Sequence, residues 1–124
     1  MTKRILVIED HEDNRQILRD LLGSVGFEMI EAENGEEGVA AAAAHRPDLI
    51  LMDIQLPIMD GYEATRRIKA NPNLSATPII VITSYALSGD EAKATAAGCD
   101  AYVTKPYSPR QLLATIRTFL PAAE

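Results

Sequence analysis

Three short apolar runs constrain this chain more than any other feature of its 124 residues. Residues 5–8 (Ile-Leu-Val-Ile), 48–52 (Asp-Leu-Ile-Leu-Met) and 79–82 (Ile-Ile-Val-Ile) are almost continuously Ile, Leu, Val and Met. A run this short and this uniform suits a strand covered on both faces, which is the signature of a parallel sheet between helical layers. Residues 28–32 and 100–104 are weaker candidates of the same kind.

Helical patterns fill the gaps. Asn14, Ile17, Leu18, Leu21, Leu22 and Val25 follow helical spacing and are read as one buried face, with Gly26 as a C-terminal cap. Asn34-Gly-Glu-Glu opens a second helix, acids in its first turn, alanine-rich through residue 44 and stopped by Pro47. A third is expected at about 61–70, after Asp60-Gly61 and before Asn71-Pro72. A fourth is expected at about 89–97, preceded by Ser88 and closed by Gly98. Ser108 and Pro109 are the N-cap and first residue of a fifth, whose apolar side carries Leu112, Leu113, Ile116, Phe119 and Leu120. Strand and helix alternate five times, so the fold class is α/β, a doubly wound parallel five-stranded (βα)5 sheet.

Composition narrows the function. Twelve basic against eighteen acidic residues leave a net charge of −6, which argues against direct nucleic-acid binding. One cysteine excludes a disulfide framework, and Cys99 reads as a small buried apolar residue. No apolar stretch approaches the ~20 residues of a membrane helix, and no signal peptide opens the chain. A cytoplasmic protein without membrane insertion is the expectation.

In a doubly wound sheet the ligand site lies beyond the carboxyl ends of the strands. Those ends carry Glu9-Asp10, Asp53, Thr83-Ser84 and Lys105-Pro106. Clustered carboxylates repel one another unless a cation is present, and a divalent hard cation such as Mg²⁺ is the simplest one.

These residues resemble the response-regulator receiver domains of two-component signalling, the CheY-like family. The resemblance spans essentially the whole chain. It rests on Glu9-Asp10, the segment Leu51-Met-Asp-Ile-Gln-Leu-Pro-Ile-Met-Asp-Gly61, Thr83, Gly98-Cys-Asp-Ala-Tyr102 and Lys105-Pro106. Met-Asp-Ile-Gln-Leu-Pro is most similar to the stand-alone DivK-type receivers and to the receivers of hybrid kinases. The family implies a flavodoxin-like sheet of order 2-1-3-4-5, a receiver over residues 1–121, and a tail at 122–124 with no output domain.

The resemblance also implies roles. Asp53 is the phosphoryl acceptor, taking the group from a sensor histidine kinase or histidine phosphotransfer protein. Glu9, Asp10, Asp53 and the main-chain carbonyl of Gln55 form the Mg²⁺ site, Glu9 acting through a metal-bound water, with Mn²⁺ able to substitute. Thr83 and Lys105 contact phosphoryl oxygens. Thr83 and Tyr102 are the switch pair, and the Lys105–Pro106 bond is cis. Phosphorylation then reshapes the face of helix 4, strand 5 and helix 5, near Lys93, Tyr102 and Tyr107, for a downstream protein target or a relay. The state is monomer or phosphorylation-promoted homodimer. The chain is no enzyme beyond its own phosphorylation and autodephosphorylation. Gln55 and Tyr85 flank the site and are expected to alter acyl-phosphate lifetime. His11 reads as an exposed loop histidine beside the acids, Glu12 and Asp13 as helix-start acids.

Two other classes fit less well. An aspartate-nucleophile phosphatase wants a second acid two residues after Asp53, where Gln55 stands. A flavin module wants a hydroxyl- and glycine-rich phosphate loop after the first strand, where Glu9-Asp-His-Glu-Asp13 would repel phosphate. A receiver cut from a longer hybrid kinase is the variant within the family.

Overall fold

The computed structural model describes residues 2–83 and 90–120. Its elements are β1 (Arg4–Ile8), α1 (Glu12–Ser24), β2 (Glu28–Ala32), α2 (Gly35–His45), β3 (Leu49–Asp53), α3 (Gly61–Ala70), β4 (Ile79–Thr83), α4 (Asp90–Ala97), β5 (Ala101–Thr104) and α5 (Pro109–Phe119). All strand pairs are parallel, in the order β2-β1-β3-β4-β5. The expected fold class and strand order are therefore observed.

Alternation along the central strands divides the interior in two. Leu6, Ile8, Ile50, Met52, Ile79 and Val81 point to the layer of α2, α3 and α4, where Ala42, Ala64, Ile68 and Ala94 meet them. Ile5, Val7, Leu49, Leu51, Ile80 and Ile82 point to α1 and α5, against Leu18, Leu22, Leu112 and Ile116. Both faces of β1, β3 and β4 are thus buried, so their sequences carry no polar alternation. Each fully buried side chain of this size contributes about 1.5–3 kcal/mol, so the two layers hold the strand ends rigidly in register.

Two aspartates move strand boundaries from those expected. Asp48 precedes β3, and its Oδ2 accepts the Arg4 N–H at 2.8 Å. Asp100 precedes β5, and its Oδ2 accepts the Ile79 N–H and the Lys69 ammonium, each at 2.8 Å. Both carboxylates satisfy main-chain donors at the amino edge of the sheet, where no further strand residue can do so.

Helix ends follow their chemistry. Asn34 and Asp60 accept N3 amides at 2.8 and 2.9 Å, and Ser108 with Gln111 makes a reciprocal capping box ahead of Pro109. Gly26 lies at φ +90° just past α1, a conformation that side-chain-bearing residues avoid. Ser88, the start expected for the fourth helix, and the tail at 122–124 lie outside the described residues, as do Ser84 and Tyr85.

The buried face of α1 differs from the expected one. Ile17 is 56% exposed and Val25 is exposed, while Arg15, Leu18 and Leu22 are buried. The inward stripe is thus 15–18–22, and its first member is an arginine. No helix among the described residues is long and apolar enough to cross a membrane.

Candidate functional site

The parallel register brings the carboxyl ends of β1, β3, β4 and β5 to one edge. Asp53 ends β3 opposite Ile82, and Thr83 ends β4 opposite Thr104. Glu9 follows β1, and its N–H donates to the Ala32 carbonyl at 3.0 Å, continuing the ladder one residue. Lys105 follows β5, and its N–H donates to the Thr83 carbonyl at 2.7 Å. The Lys105–Pro106 bond is cis, as expected.

Three side chains meet at this edge. The Lys105 ammonium lies 3.1 Å from Glu9 Oε1 and 3.5 Å from Asp53 Oδ2. Glu9, Asp53 and Thr83 are all buried. Burial raises the Glu9 carboxyl, but the His11 N–H and the Lys105 ammonium outweigh it and hold Glu9 near 2. Burial pushes Asp53 up to about 6, with Lys105 opposing and the Glu9 charge reinforcing. Burial also disfavours the Lys105 ammonium, yet Asp53 and Glu9 more than compensate and its pKa is raised. One carboxylate here is firmly ionised and the other reluctantly so, as expected where two acids share one ammonium.

The turn after β3 is shaped around Asp53. The Gln55 N–H donates to Asp53 Oδ1 at 3.2 Å, and the Gly61 N–H donates to the Ile54 carbonyl at 2.9 Å. A Cβ at Gly61 would stand 2.2 Å from the Asp53 carbonyl oxygen, so only glycine lets α3 begin directly beneath the carboxylate. Ile58 in the same turn has φ +71° and is 75% exposed, a strained conformation for a β-branched residue.

Asp10 and His11 complete the acidic side. His11 Nδ1 lies 3.1 Å from Asp10 Oδ1 and 3.3 Å from Glu9 Oε2. Donor atoms of Glu9, Asp10 and His11 all lie within 4.8 Å of one another. Beside this edge a groove of about 530 Å³ opens between α1 and the start of α5, with Glu9, Asp53 and Lys105 among its walls. Asn14, Ile17, Tyr107 and Pro109 also line it. Tyr102 is half-buried against the α4-side core and does not line this groove.

The family model described as response regulator receiver domain matches residues 5–117. The chain is a response-regulator receiver domain. The polar-differentiation response regulator DivK of Brucella anthropi is 42% identical to this receiver over 120 residues, covering 97% of this chain and 98% of that one. The receiver domain of sensor histidine kinase PA1611 from Pseudomonas aeruginosa PAO1 superposes with a TM-score of 0.90 at 35% identity, covering 97% and 98% of the two chains. That structure holds a magnesium ion in its active-site cleft. Vibrio cholerae CheY4 gives a TM-score of 0.90 at 27% identity, covering 96% of this receiver and 99% of that chain.

One contributor at this receiver's site escapes a reading of the sequence. Arg15 sends Nη1 to the Glu9 carbonyl at 2.8 Å, and Nε to Glu31 Oε1 at 3.2 Å. Its signal is spacing alone, because it stands three and seven residues before the buried Leu18 and Leu22.

Proposed function

We propose that this receiver is a stand-alone Mg²⁺-dependent phosphoryl acceptor that takes its phosphoryl group on Asp53 from a sensor histidine kinase or histidine phosphotransfer protein. The observation that carries the reading is the meeting of buried Asp53 with Glu9 and Lys105 at the carboxyl edge of the sheet. Phosphoryl transfer asks for positioning and charge neutralisation more than for covalent machinery. The relative in Brucella anthropi is a response regulator by name and matches this chain over 97% of its length, which supports the signalling reading.

The residues fit a hard divalent cation. Asp10 Oδ1 is buried with no hydrogen bond among the described residues, only the His11 Nδ1 contact at 3.1 Å, and a donor atom of Asp10 lies within 4.8 Å of one of Glu9. Asp10, Asp53 and the Gln55 carbonyl would hold Mg²⁺, Glu9 acting through water, and Mn²⁺ would substitute. When bound, the ion supplies charge neutralisation for the phosphoryl oxygens.

The chain's own groups do the rest. Asp53 enters as the carboxylate; one oxygen attacks phosphorus, and the donor imidazole leaves with the bonding electron pair. Lys105 turns its ammonium from the Asp53 carboxylate to a phosphoryl oxygen. Thr83, one strand away, donates its hydroxyl to another. The groove between α1 and α5 gives the donor its approach. Movement of Thr83 and half-buried Tyr102 then favours a second packing of the α4–β5–α5 face, which a downstream protein reads.

Incubation with acetyl phosphate and Mg²⁺ followed by intact-mass measurement tests this reading. Wild type gains one phosphoryl group and Asp53→Asn gains none. Equal gain by both proteins overturns Asp53 as the acceptor.

A further inference from the structure

The turn between β3 and α3 is closed at its base. The Gly61 N–H donates to the Ile54 carbonyl at 2.9 Å, and Gly61 abuts the Asp53 carbonyl so closely that no Cβ would fit between them. Inside this ring the chain doubles back twice. The Leu56 N–H donates to the Ile54 carbonyl at 3.1 Å, and the Met59 N–H donates to the Pro57 carbonyl at 2.7 Å. The second bond closes a γ-turn with Ile58 at its centre, and φ +71° gives that turn the rare, strained hand. Ile54, Leu56 and Met59 pack on the core of the α2–α3–α4 layer. Ile58 turns outward and is 75% exposed.

Nothing among the described residues offsets this arrangement. A β-branched side chain at positive φ costs stability, and one so exposed gains little from packing. Strain held beside a reacting group points to a function for the residue that carries it. Here the side chain faces away from the chain, so its contact is with something outside. Ile17, a second exposed isoleucine, lines the groove that holds Asp53.

The reach of the chain says what covers Ile58. Three residues separate it from Gly61, so its Cα lies within about 11 Å of the glycine that abuts Asp53. A small phosphodonor touches only the pocket. A protein donor lays a surface over it, and even a weak, transient interface of about 600 Å² per partner spans a disc of about 14 Å radius. A protein whose histidine meets Asp53 therefore covers Ile58 as well. We infer that Ile58 is an anchor for the protein phosphodonor: an apolar hollow beside the donor's phosphorylated histidine receives its side chain. The inference rests on the reading of Asp53 as the acceptor and adds the residue by which the donor protein is held.

The test compares protein and small-molecule donors on the full chain. Sensor histidine kinases and phosphotransfer proteins of the source organism, each phosphorylated on histidine, are offered to the receiver one at a time, and the one that labels wild type fastest is carried forward. Its kcat/KM for transfer is measured with wild type, Ile58→Ala, Ile58→Asn and Ile58→Leu, beside uptake from acetyl phosphate. Expected is a loss of about tenfold in Ile58→Ala and Ile58→Asn, carried by KM, with Ile58→Leu within about threefold of wild type. Uptake from acetyl phosphate should stay within about twofold of wild type in all three, because that donor does not reach Ile58.

Protein transfer unchanged in Ile58→Ala and Ile58→Asn overturns the inference. So does an equal loss with acetyl phosphate, which would make Ile58 a shaper of the Asp53 turn, and so does a loss in Ile58→Leu as large as that in Ile58→Ala, which would remove the apolar contact. Failure of every protein donor while acetyl phosphate labels Asp53 overturns the inference and leaves the acceptor intact. Absence of any labelling of Asp53 overturns both together.

Discussion

The Arg15 guanidinium donates to the Glu9 main-chain carbonyl at 2.8 Å, so a buried cation on α1 fixes the peptide that leads into Asp10. Glu31 on β2 and Glu12 on α1 hold the same guanidinium at 3.2 and 3.3 Å. Removing it leaves a buried carbonyl without its donor. Arg15→Met should cost about 1.5–3 kcal/mol in urea unfolding. It should also weaken Mg²⁺ binding several-fold, because the loop carrying Glu9 and Asp10 loses its anchor. Arg15→Lys should recover part of each loss, since one ammonium cannot serve both the carbonyl and Glu31 in the geometry of a planar fork. Metal affinity equal to wild type in Arg15→Met would show that the loop holds its shape without the anchor.

Asp53 gives the metal-free protein a pH dependence with a definite sign. Its pKa rises from 3.8 to about 6 on folding, so the folded state binds more protons between those values. Stability from this group is complete below about 4 and is lost as pH rises through about 6. Glu9 acts oppositely, but between about 2 and 4.5, so it does not cancel the effect above pH 4.5. Metal-free thermal melts from pH 4.5 to 7 should lose this contribution in wild type and not in Asp53→Asn. Mg²⁺ affinity should fall about tenfold between pH 7 and pH 5, following the ionised fraction of Asp53. A wild-type profile matching that of Asp53→Asn would remove Asp53 as its source.

Ile58 is a site for stabilisation. A β-branched residue at φ +71° carries strain of roughly 1–2 kcal/mol, and Ile58 is 75% exposed, so little packing is lost on replacement. Asparagine tolerates this backbone without the entropy that glycine adds to the unfolded chain. Ile58→Asn should raise stability by about 1 kcal/mol, read as a melting temperature a few degrees higher. A lower melting temperature would mean that the isoleucine makes contacts that outweigh its strain.

Gly61 should behave in the opposite way. A Cβ there meets the Asp53 carbonyl oxygen at 2.2 Å and the Ile54 Cα at 2.8 Å, and both are main chain. Gly61→Ala should cost about 1–3 kcal/mol. It should also slow phosphoryl uptake from acetyl phosphate, since relief comes only by moving the turn that positions Asp53. An uptake rate equal to wild type would show that α3 moves and the turn does not.

Much of this was legible before the structure. The strands declare themselves because β1, β3 and β4 are buried on both faces, and α5 because Ser108, Pro109 and Gln111 together make a start that needs no tertiary partner. Strand-end position alone singles out Glu9, Asp53, Thr83 and Lys105. Hydropathy favours Ile17 over Arg15 for the inward face of α1, and the structure buries Arg15 instead. The arginine is buried through reach to the Glu9 carbonyl and to Glu31 on β2, neither of which helical spacing encodes. His11 reads in sequence as an exposed loop histidine and is 69% exposed, but its identity does not tell that the ring lies against Asp10 and Glu9. Asp48 and Asp100 were placed inside strands because a carboxylate that caps a neighbouring strand's amide looks, in sequence, like the strand's own first residue.

Lys105 reaches both Glu9 and Asp53 from the end of β5. It is a counter-ion on a leash, delivered by the chain and present at a local concentration that no dissolved salt can dilute. A pocket of acids that carries its own neutraliser does not depend on a captured ion to hold its shape. On the proposed reading Mg²⁺ would serve the transfer step and not the fold, in contrast to small domains that collapse without their metal.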